Sequence, residues 1–301
     1  MALLAACGTQ QAGNPPQDPG APVNAAPARM ALDQIPSAPT KGLAVGLTLP
    51  LDEFTAKPAD GYAWKVAVQD QWRSCMARYG FKNFGPPQAS DQAARAQADA
   101  TMGRRYGVSD LDLAKKYGHH LPNDIKEPAR WEPAPGAETA VFTGKGPELK
   151  GSTYAGKEVP QDGCRGEARR QFPVPQSPEA EQVGVRVFDE TKTDPDVVKA
   201  FAQWSSCMKG KGYQQSHPLE DLGALGISLS TPTAGKEEIA HAVADVECKR
   251  ETDLIKVWNG KETEKQRKAI EQNAPKLSQE RAAKDKNAAK VAQAYTVAGN
   301  R

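Results

Sequence analysis

The chain has 301 residues, a length that suits two modest domains or one domain with long tails. Its 39 Lys and Arg residues nearly balance its 37 Asp and Glu residues, so the formal net charge of +2 gives no electrostatic reason to expect a nucleic-acid partner. Hydrophobic residues make up only 39% of the chain, and its 26 Gly and 24 Pro residues favour irregular stretches, so we expect a small core. No apolar run approaches the roughly 18 residues of a transmembrane helix.

The first residues match the cleavage site of a bacterial lipoprotein signal peptide. Leu-Ala-Ala precedes Cys7, and small residues at these positions suit the signal peptidase. We expect residues 1–7 to be a signal-peptide remnant with its lipobox, and the Cys7 thiol to carry a diacylglycerol. Only six residues precede Cys7 and none is basic, which leaves open an upstream start codon, a trimmed start, or a cytosolic protein with a chance match.

The residues after Cys7 have the composition of a flexible tether. From residue 8 to residue 40 the chain is mostly Gly, Pro, Ala, Gln and Asn, with few large apolar side chains. Such a segment cannot bury enough apolar surface to fold. We therefore expect residues 8–42 to be a disordered link between a membrane lipid and a folded body.

The segment 43–178 is expected to form a first helical unit. Apolar residues fall at helical spacing from Trp64 to Tyr79, and Gly80 stands where a glycine commonly ends a helix. An alanine-rich helix follows, and Ser109 is expected to cap the next one. The expected elements are helices over 59–79, 90–106, 109–117 and 164–172, and one short strand over 139–143 within an otherwise irregular segment 121–163.

The segment 179–260 is expected to form a second helical unit. Asp194 followed by Pro195 is a strong helix start, and Gly212 marks the end of that helix. A further helix is expected over 236–258. Residues 261–301 are expected to form a charged helical tail, interrupted by Pro275, in which nine basic residues face five acidic ones between 261 and 298. We interpret the tail as a solvated helix packed along one edge, since it lacks the aromatic and leucine face of a membrane-surface helix.

An internal repeat links the two expected units. Gln-Trp-Arg-Ser-Cys-Met at 71–76 recurs as Gln-Trp-Ser-Ser-Cys-Met at 203–208, and a glycine–aromatic pair follows each copy at the same offset. Each copy is a helix with a tryptophan, Trp72 or Trp204, one turn before its cysteine. Either tryptophan could line a ligand site, but we expect both to be core residues against disulfides.

Four cysteines remain when Cys7 is set aside, and four cysteines allow three pairings. Zinc or free thiols are alternatives, but separations of 89, 43 and 41 residues include no close zinc-type or redox-type pair. Disulfides in an oxidising compartment fit best. If the two copies share a design, the helix cysteine of each pairs with the cysteine that follows it. The expected disulfides are Cys75–Cys164 and Cys207–Cys248.

No motif identifies a catalytic, cofactor or metal site. The segment 151–158 imitates a phosphate-binding loop, but Glu158 replaces the Ser or Thr that would bind Mg²⁺. His119 and His120 are adjacent, while His217 and His241 stand alone, and we expect the adjacent pair to pack or cap a helix end. No carboxylate pair can be nominated as acid and base. We therefore expect no cofactor and no metal site, and we name no catalytic residue.

Several short motifs resemble a family of uncharacterised actinobacterial secreted proteins and lipoproteins. The resemblance covers about residues 47–275 and implies export, usually lipidation, and a mainly helical, disulfide-bonded body. It implies no activity and no site residues. The motifs are Leu-Pro-Leu-Asp at 49–52, Cys-Met-Ala-Arg-Tyr-Gly-Phe at 75–81, Arg-Arg-Tyr-Gly at 104–107, Tyr-Gly-His-His-Leu-Pro at 117–122, Trp-Ser-Ser-Cys-Met at 204–208 and Asp-Val-Glu-Cys-Lys at 245–249.

The sequence thus predicts a mainly α protein of small disulfide-bonded helical units, with long irregular loops and a polar C-terminal helix. We expect it on the extracytoplasmic face of a cell membrane, held by its lipid, or secreted. Its expected role is non-catalytic binding or assistance to envelope proteins or the cell wall, without nucleic acid. The alternative is a cell-envelope hydrolase that uses carboxylates not identified in the sequence.

Overall fold

A computed structural model describes residues 29–87, 90–122 and 131–299 and confirms a mainly α fold. Cys7 and most of the expected tether lie outside the described residues. The only named strands within these ranges, Thr153–Tyr154 (β1) and Lys157–Glu158 (β2), pair antiparallel. The α-helices are α1 (Pro58–Ala77), α2 (Asp91–Arg95), α3 (Gln97–Ala100), α4 (Leu111–Tyr117), α5 (Ala137–Thr143), α6 (Gly163–Gln171), α7 (Pro178–Thr191), α8 (Pro195–Gly210), α9 (Lys236–Glu251), α10 (Leu254–Gln272) and α11 (Ala274–Gly299).

Two helix starts follow from local capping chemistry. Asp194 caps α8 as expected, because its side chain accepts the N–H of Asp196 at 3.1 Å and Pro195 occupies the first turn. The cap of α4 differs from the prediction. Asp110 accepts the N–H groups of its first turn, whereas Ser109 is buried and donates its hydroxyl to the carbonyl of Gly103 at 2.5 Å.

The expected strand over 139–143 is wrong, because these residues lie in α5. Good helix formers, including Glu138 and two alanines, open this segment, and the Glu138 carboxylate accepts the N–H of Ala134 at 2.8 Å. Gly144 ends the helix in the left-handed conformation, with φ of 72°. Val141 and Phe142 are buried on it. A short apolar run between glycines does not by itself distinguish helix from strand.

Two expected helices are interrupted. The helix over 90–106 is divided into α2, α3 and a 3₁₀ turn at Met102–Arg104. The helix over 236–258 ends at Glu251, since Asp253 adopts a left-handed φ of 51° before α10 begins. Beyond this break, Trp258 on α10 is fully buried.

Helix α7 was not expected from the sequence, although its signals are present. Pro178 occupies its first turn, which is acidic, and Ala180, Val183 and Val187 recur at helical spacing and are buried. These three residues pack with Leu51 and with apolar residues of α10 and α11.

The polar C-terminal segment packs along the rest of the protein by one edge. It forms most of α10 and all of α11, and the break falls at Asn273, just before Pro275. Tyr295 of α11 lies edge-on to Tyr62 of α1, with ring centroids 6.0 Å apart, and its hydroxyl donates to the carbonyl of Met30 at 2.6 Å. The first described residues, which the sequence assigns to the disordered tether, therefore pack beside the end of α11, where Met30 and Ile35 are buried.

Two hydrophobic clusters contain residues from both sides of the expected boundary at residue 178. Tyr106 packs among apolar residues of α8 and α10, and Val108 and Ala114 pack against Ala242 and Val246 of α9. Segments 43–178 and 179–260 thus share hydrophobic clusters. The boundary between two units remains a prediction.

The structure confirms the expected disulfide pairing. Cys75 bonds Cys164 and Cys207 bonds Cys248, each with its Cα atoms 5.6 Å apart. Two disulfides indicate an oxidising, extracytoplasmic environment. Within the described ranges, no helix has a stretch both long and apolar enough to span a membrane.

Removing the second disulfide is expected to destabilise the protein. Cys207→Ala/Cys248→Ala opens a link between residues 41 apart, which on the chain-entropy model should lower the free energy of unfolding by about 4 kcal/mol. Guanidinium unfolding followed by tryptophan fluorescence measures the change. Ser206→Ala, at an exposed neighbour, is the control and should leave the midpoint in place. A double variant that unfolds at the wild-type midpoint would contradict the expectation.

Candidate functional site

A fully buried carboxylate, Glu262 on α10, forms hydrogen bonds with polar groups from distant parts of the chain. Nε of Arg105 lies 3.0 Å from both of its oxygens, and the Tyr106 hydroxyl donates to Oε2 at 2.8 Å. Gln266 donates its amide N–H to Glu262 at 3.0 Å, and its Oε1 accepts the N–H of Leu51 at the same distance. The Leu-Pro-Leu-Asp and Arg-Arg-Tyr-Gly motifs therefore meet at α10.

A buried ion pair lies on α9. Lys249 donates to Asp245 at 2.7 Å and to the carbonyl of Val108 at 2.9 Å, and Trp204 donates its indole N–H to the other oxygen of Asp245 at 3.0 Å. Burial opposes both charges: it raises the pKa of Asp245 and lowers the pKa of Lys249. Gly107, with φ of 84°, leaves room for the ammonium, since a Cβ there would lie 2.6 Å from Nζ.

Three histidines and a glutamate form a cluster between α4 and α9. His119 Nε2 lies 2.8 Å from Nδ1 of His241, and His120 Nδ1 lies 2.7 Å from Oε1 of Glu238. The same carboxylate oxygen accepts the backbone N–H of His119 at 2.8 Å. Gly118 makes this approach possible: its φ is 57°, and a Cβ would lie 2.7 Å from Glu238 Oε1. We call these residues, His119, His120, His241 and Glu238, the histidine cluster.

The loop between α8 and α9 is bound to the histidine cluster at two points. His241 Nε2 lies 2.6 Å from Oε1 of Gln215, and His120 Nε2 lies 2.8 Å from the carbonyl oxygen of Thr231. Because both partners are oxygens that accept, the histidine nitrogens donate. The Gln215 amide nitrogen is buried without a partner, so the bond of its Oε1 to His241 is the hydrogen bond that holds this side chain.

The environment of His119 and His241 keeps both rings neutral. Burial, followed by the repulsion between His119 and His241 if both were protonated and by the charges of Lys249 and Arg104, lowers the pKa of His119 to about 3. Burial and then the Lys249 ammonium lower the pKa of His241 to about 4. Arg104 contributes positive charge here because it donates to the backbone carbonyls of His119, at 2.7 Å, and His120.

The sequence found part of this site. His119 and His120 pack at a helix end as expected, whereas His241, which contacts His119, stands alone in the sequence. Glu238 lies three residues before His241, so both fall on one face of α9. That spacing was the available signal. Trp204 is fully buried on α8, the helix that carries Cys207, as expected of a core residue.

One surface groove and one sequence motif include no residue of the histidine cluster. An open groove of about 610 Å³ runs beside α8 and is lined by Lys192, Val198, Phe201, Ala202, Ser205, Ser216 and His217. The segment that imitates a phosphate-binding loop forms the β1–β2 hairpin. Among the described residues, no group of three or more His, Cys, Asp or Glu side chains is arranged to hold a metal ion.

Comparisons with known proteins give no assignment. No family model, no curated protein and no solved structure matches the chain. Function is therefore inferred from the residues of the chain itself.

Breaking the buried ion pair on one side is expected to cost more than removing it. Lys249→Met leaves the Asp245 carboxylate buried without its cation and should lower the free energy of unfolding by about 3–5 kcal/mol. Asp245→Asn/Lys249→Met removes both charges and should recover part of that loss. Denaturant unfolding measures both, with exposed Lys209→Met as the control, and a single variant no less stable than the double variant would contradict this.

Proposed function

We propose that the protein is a lipid-anchored, extracytoplasmic accessory or binding protein of the cell envelope that performs no catalysis itself. Envelope proteins or cell-wall polymers are its proposed partners. The membrane contact is assigned to a lipid on Cys7, followed by the Pro- and Gly-rich tether. The family resemblance to actinobacterial lipoproteins supports the same location.

The proposal is supported chiefly by the partners of three buried acidic side chains. Glu238 is bound to His120, Asp245 to Lys249 and Glu262 to Arg105. Each pair ties together segments distant in sequence or holds a backbone turn. Carboxylates fixed in this way serve the fold, whereas a hydrolase needs a carboxylate pair that faces its substrate across a cleft.

The anchor is tested by the fate of Cys7. In a native-like host that expresses the full gene, we expect acylated Cys7 at the mature N-terminus and the protein in the membrane fraction. Cys7→Ala should release the protein, and Thr9→Ala, just outside the lipobox, should leave it in place. Fractionation and mass spectrometry of the N-terminal peptide report both. A soluble wild-type protein that retains Met1 would end the anchor proposal.

The accessory role is tested by separating abundance from activity. In a deletion strain, we expect Glu238→Gln and Glu262→Gln to weaken complementation only as far as they lower the amount of folded protein. Raising expression to the wild-type level should then restore growth under envelope stress. Exposed Glu264→Gln is the control. A variant that fails to complement at wild-type abundance would support the hydrolase and overturn the accessory role.

A further inference from the structure

The connection between α8 and α9, residues 211–235, is attached to the body through histidines. Its early part is held at Gln215 by His241, and its late part is held at Thr231 by His120. Ser205 also donates to the Gln215 carbonyl at 2.5 Å. We call residues 211–235 the latch loop.

Hydrogen-bond donors can be assigned along this chain of contacts. His241 donates from Nε2 to Gln215, so in its neutral form Nδ1 is an acceptor, and it accepts from Nε2 of His119. A proton added to Nδ1 of His241 would place two N–H groups against each other across a 2.8 Å contact. A protonated His241 could still donate to Gln215, but it would be a buried charge repelled by His119. The ring can reach water only if Tyr213 and Gln215 of the loop move away from it, so the closed loop is favoured while this histidine pair is neutral.

We propose that the latch loop is an acid-released latch, closed while the His119–His241 pair is neutral and opened when the pair takes up a proton. The inference goes beyond the accessory function and does not depend on Cys7. It rests on the direct contact between the two rings and on the attachment of the loop to one of them.

The charged groups around the pair favour release. Arg104, on the 3₁₀ turn before α4, and Lys249, on α9, bring positive charge to the site. The two carboxylates of α9 that face it are already engaged, Glu238 with His120 and Asp245 with Lys249. From the loop side, His241 meets the ring of Tyr213 and the amide of Gln215. No carboxylate among these groups is free to stabilise an imidazolium at His119 or His241.

The direction of the pH effect follows from the difference between closed and open states. In the closed state the pKa values of His119 and His241 are lowered to about 3 and about 4, whereas an exposed histidine titrates near 6.5. Between these values the open form binds more protons than the closed form. Opening is therefore favoured as the pH falls below about 6.5, by roughly 20-fold per histidine between pH 7 and pH 5.

Opening would also change the surface beside α8. Ser216 and His217 of the latch loop line the groove opposite Phe201, and the rings of Phe201 and His217 lie 5.8 Å apart. Release of the neighbouring Gln215 removes one wall of this groove. The pH of the envelope would then decide whether the groove is formed.

Hydrogen exchange of the full chain at pH 7 and pH 5, corrected for intrinsic exchange rates, tests the latch. Protection of peptides from residues 213–231 should fall at least tenfold at pH 5, while peptides from α5 and α6 keep their protection. His119→Gln/His241→Gln replaces both titrating rings with neutral amides and should abolish the response. His217→Gln, which removes a histidine from the same loop outside the pair, should retain it.

Three outcomes would overturn the proposal. They are unchanged loop protection at pH 5, an equal loss of protection in α5 and α6, and an undiminished response in the double variant. If the double variant does not fold, His119→Gln and His241→Gln are measured singly. Each should then weaken the pH dependence, and a single variant with the full wild-type response would equally refute the latch.

Discussion

Burial of the Lys249 ammonium is the constraint that fixes the turn at residues 107–108 and, through it, the contacts of the residues before that turn. A lysine with no exposed surface requires partners that replace water, and it finds them in Asp245 and in the carbonyl of Val108. The first contact lies within α9. The second fixes a turn of the chain more than a hundred residues earlier, and Gly107 supplies the backbone conformation that the turn requires.

Once that turn is fixed, the residues before it have little freedom. Arg105 and Tyr106 are directed to Glu262 on α10, and Arg104 is directed to the backbone of His119. The irregular segment between α3 and α4 thus contacts both α9, through Lys249, and α10, through Glu262. Its four-residue motif makes structural sense, since Arg104 binds the backbone of His119, Arg105 and Tyr106 both bind Glu262, and Gly107 leaves room for Lys249.

Apolar periodicity predicted most of the large helices, because spacing along a helix reports which face is buried. The repeat predicted the disulfides, because two copies with one design imply one pairing rule. The pairing of Glu262 with Arg105, or of His119 with His241, could not be predicted in this way. Polar partners distant in sequence leave no periodic signal. The left-handed conformation of Asp253, which separates α9 from α10, likewise leaves no periodic signal.

Both copies of the repeat form a disulfide, but only in the second does the tryptophan donate a hydrogen bond. The reason is local. Trp204 and Asp245 each lie three residues before a disulfide cysteine, and both stand on helices, so the bond between the cysteines brings them together one turn away. In the first copy Trp72 has the same place before Cys75, but Cys164 is the second residue of α6. The residue three before Cys164 therefore precedes the helix, and the indole N–H of Trp72 is buried without a partner. The position of the later cysteine within its helix thus decides whether the repeat produces a buried polar network. Only the second copy does so, and that copy carries the lysine to which the 107–108 turn is bound.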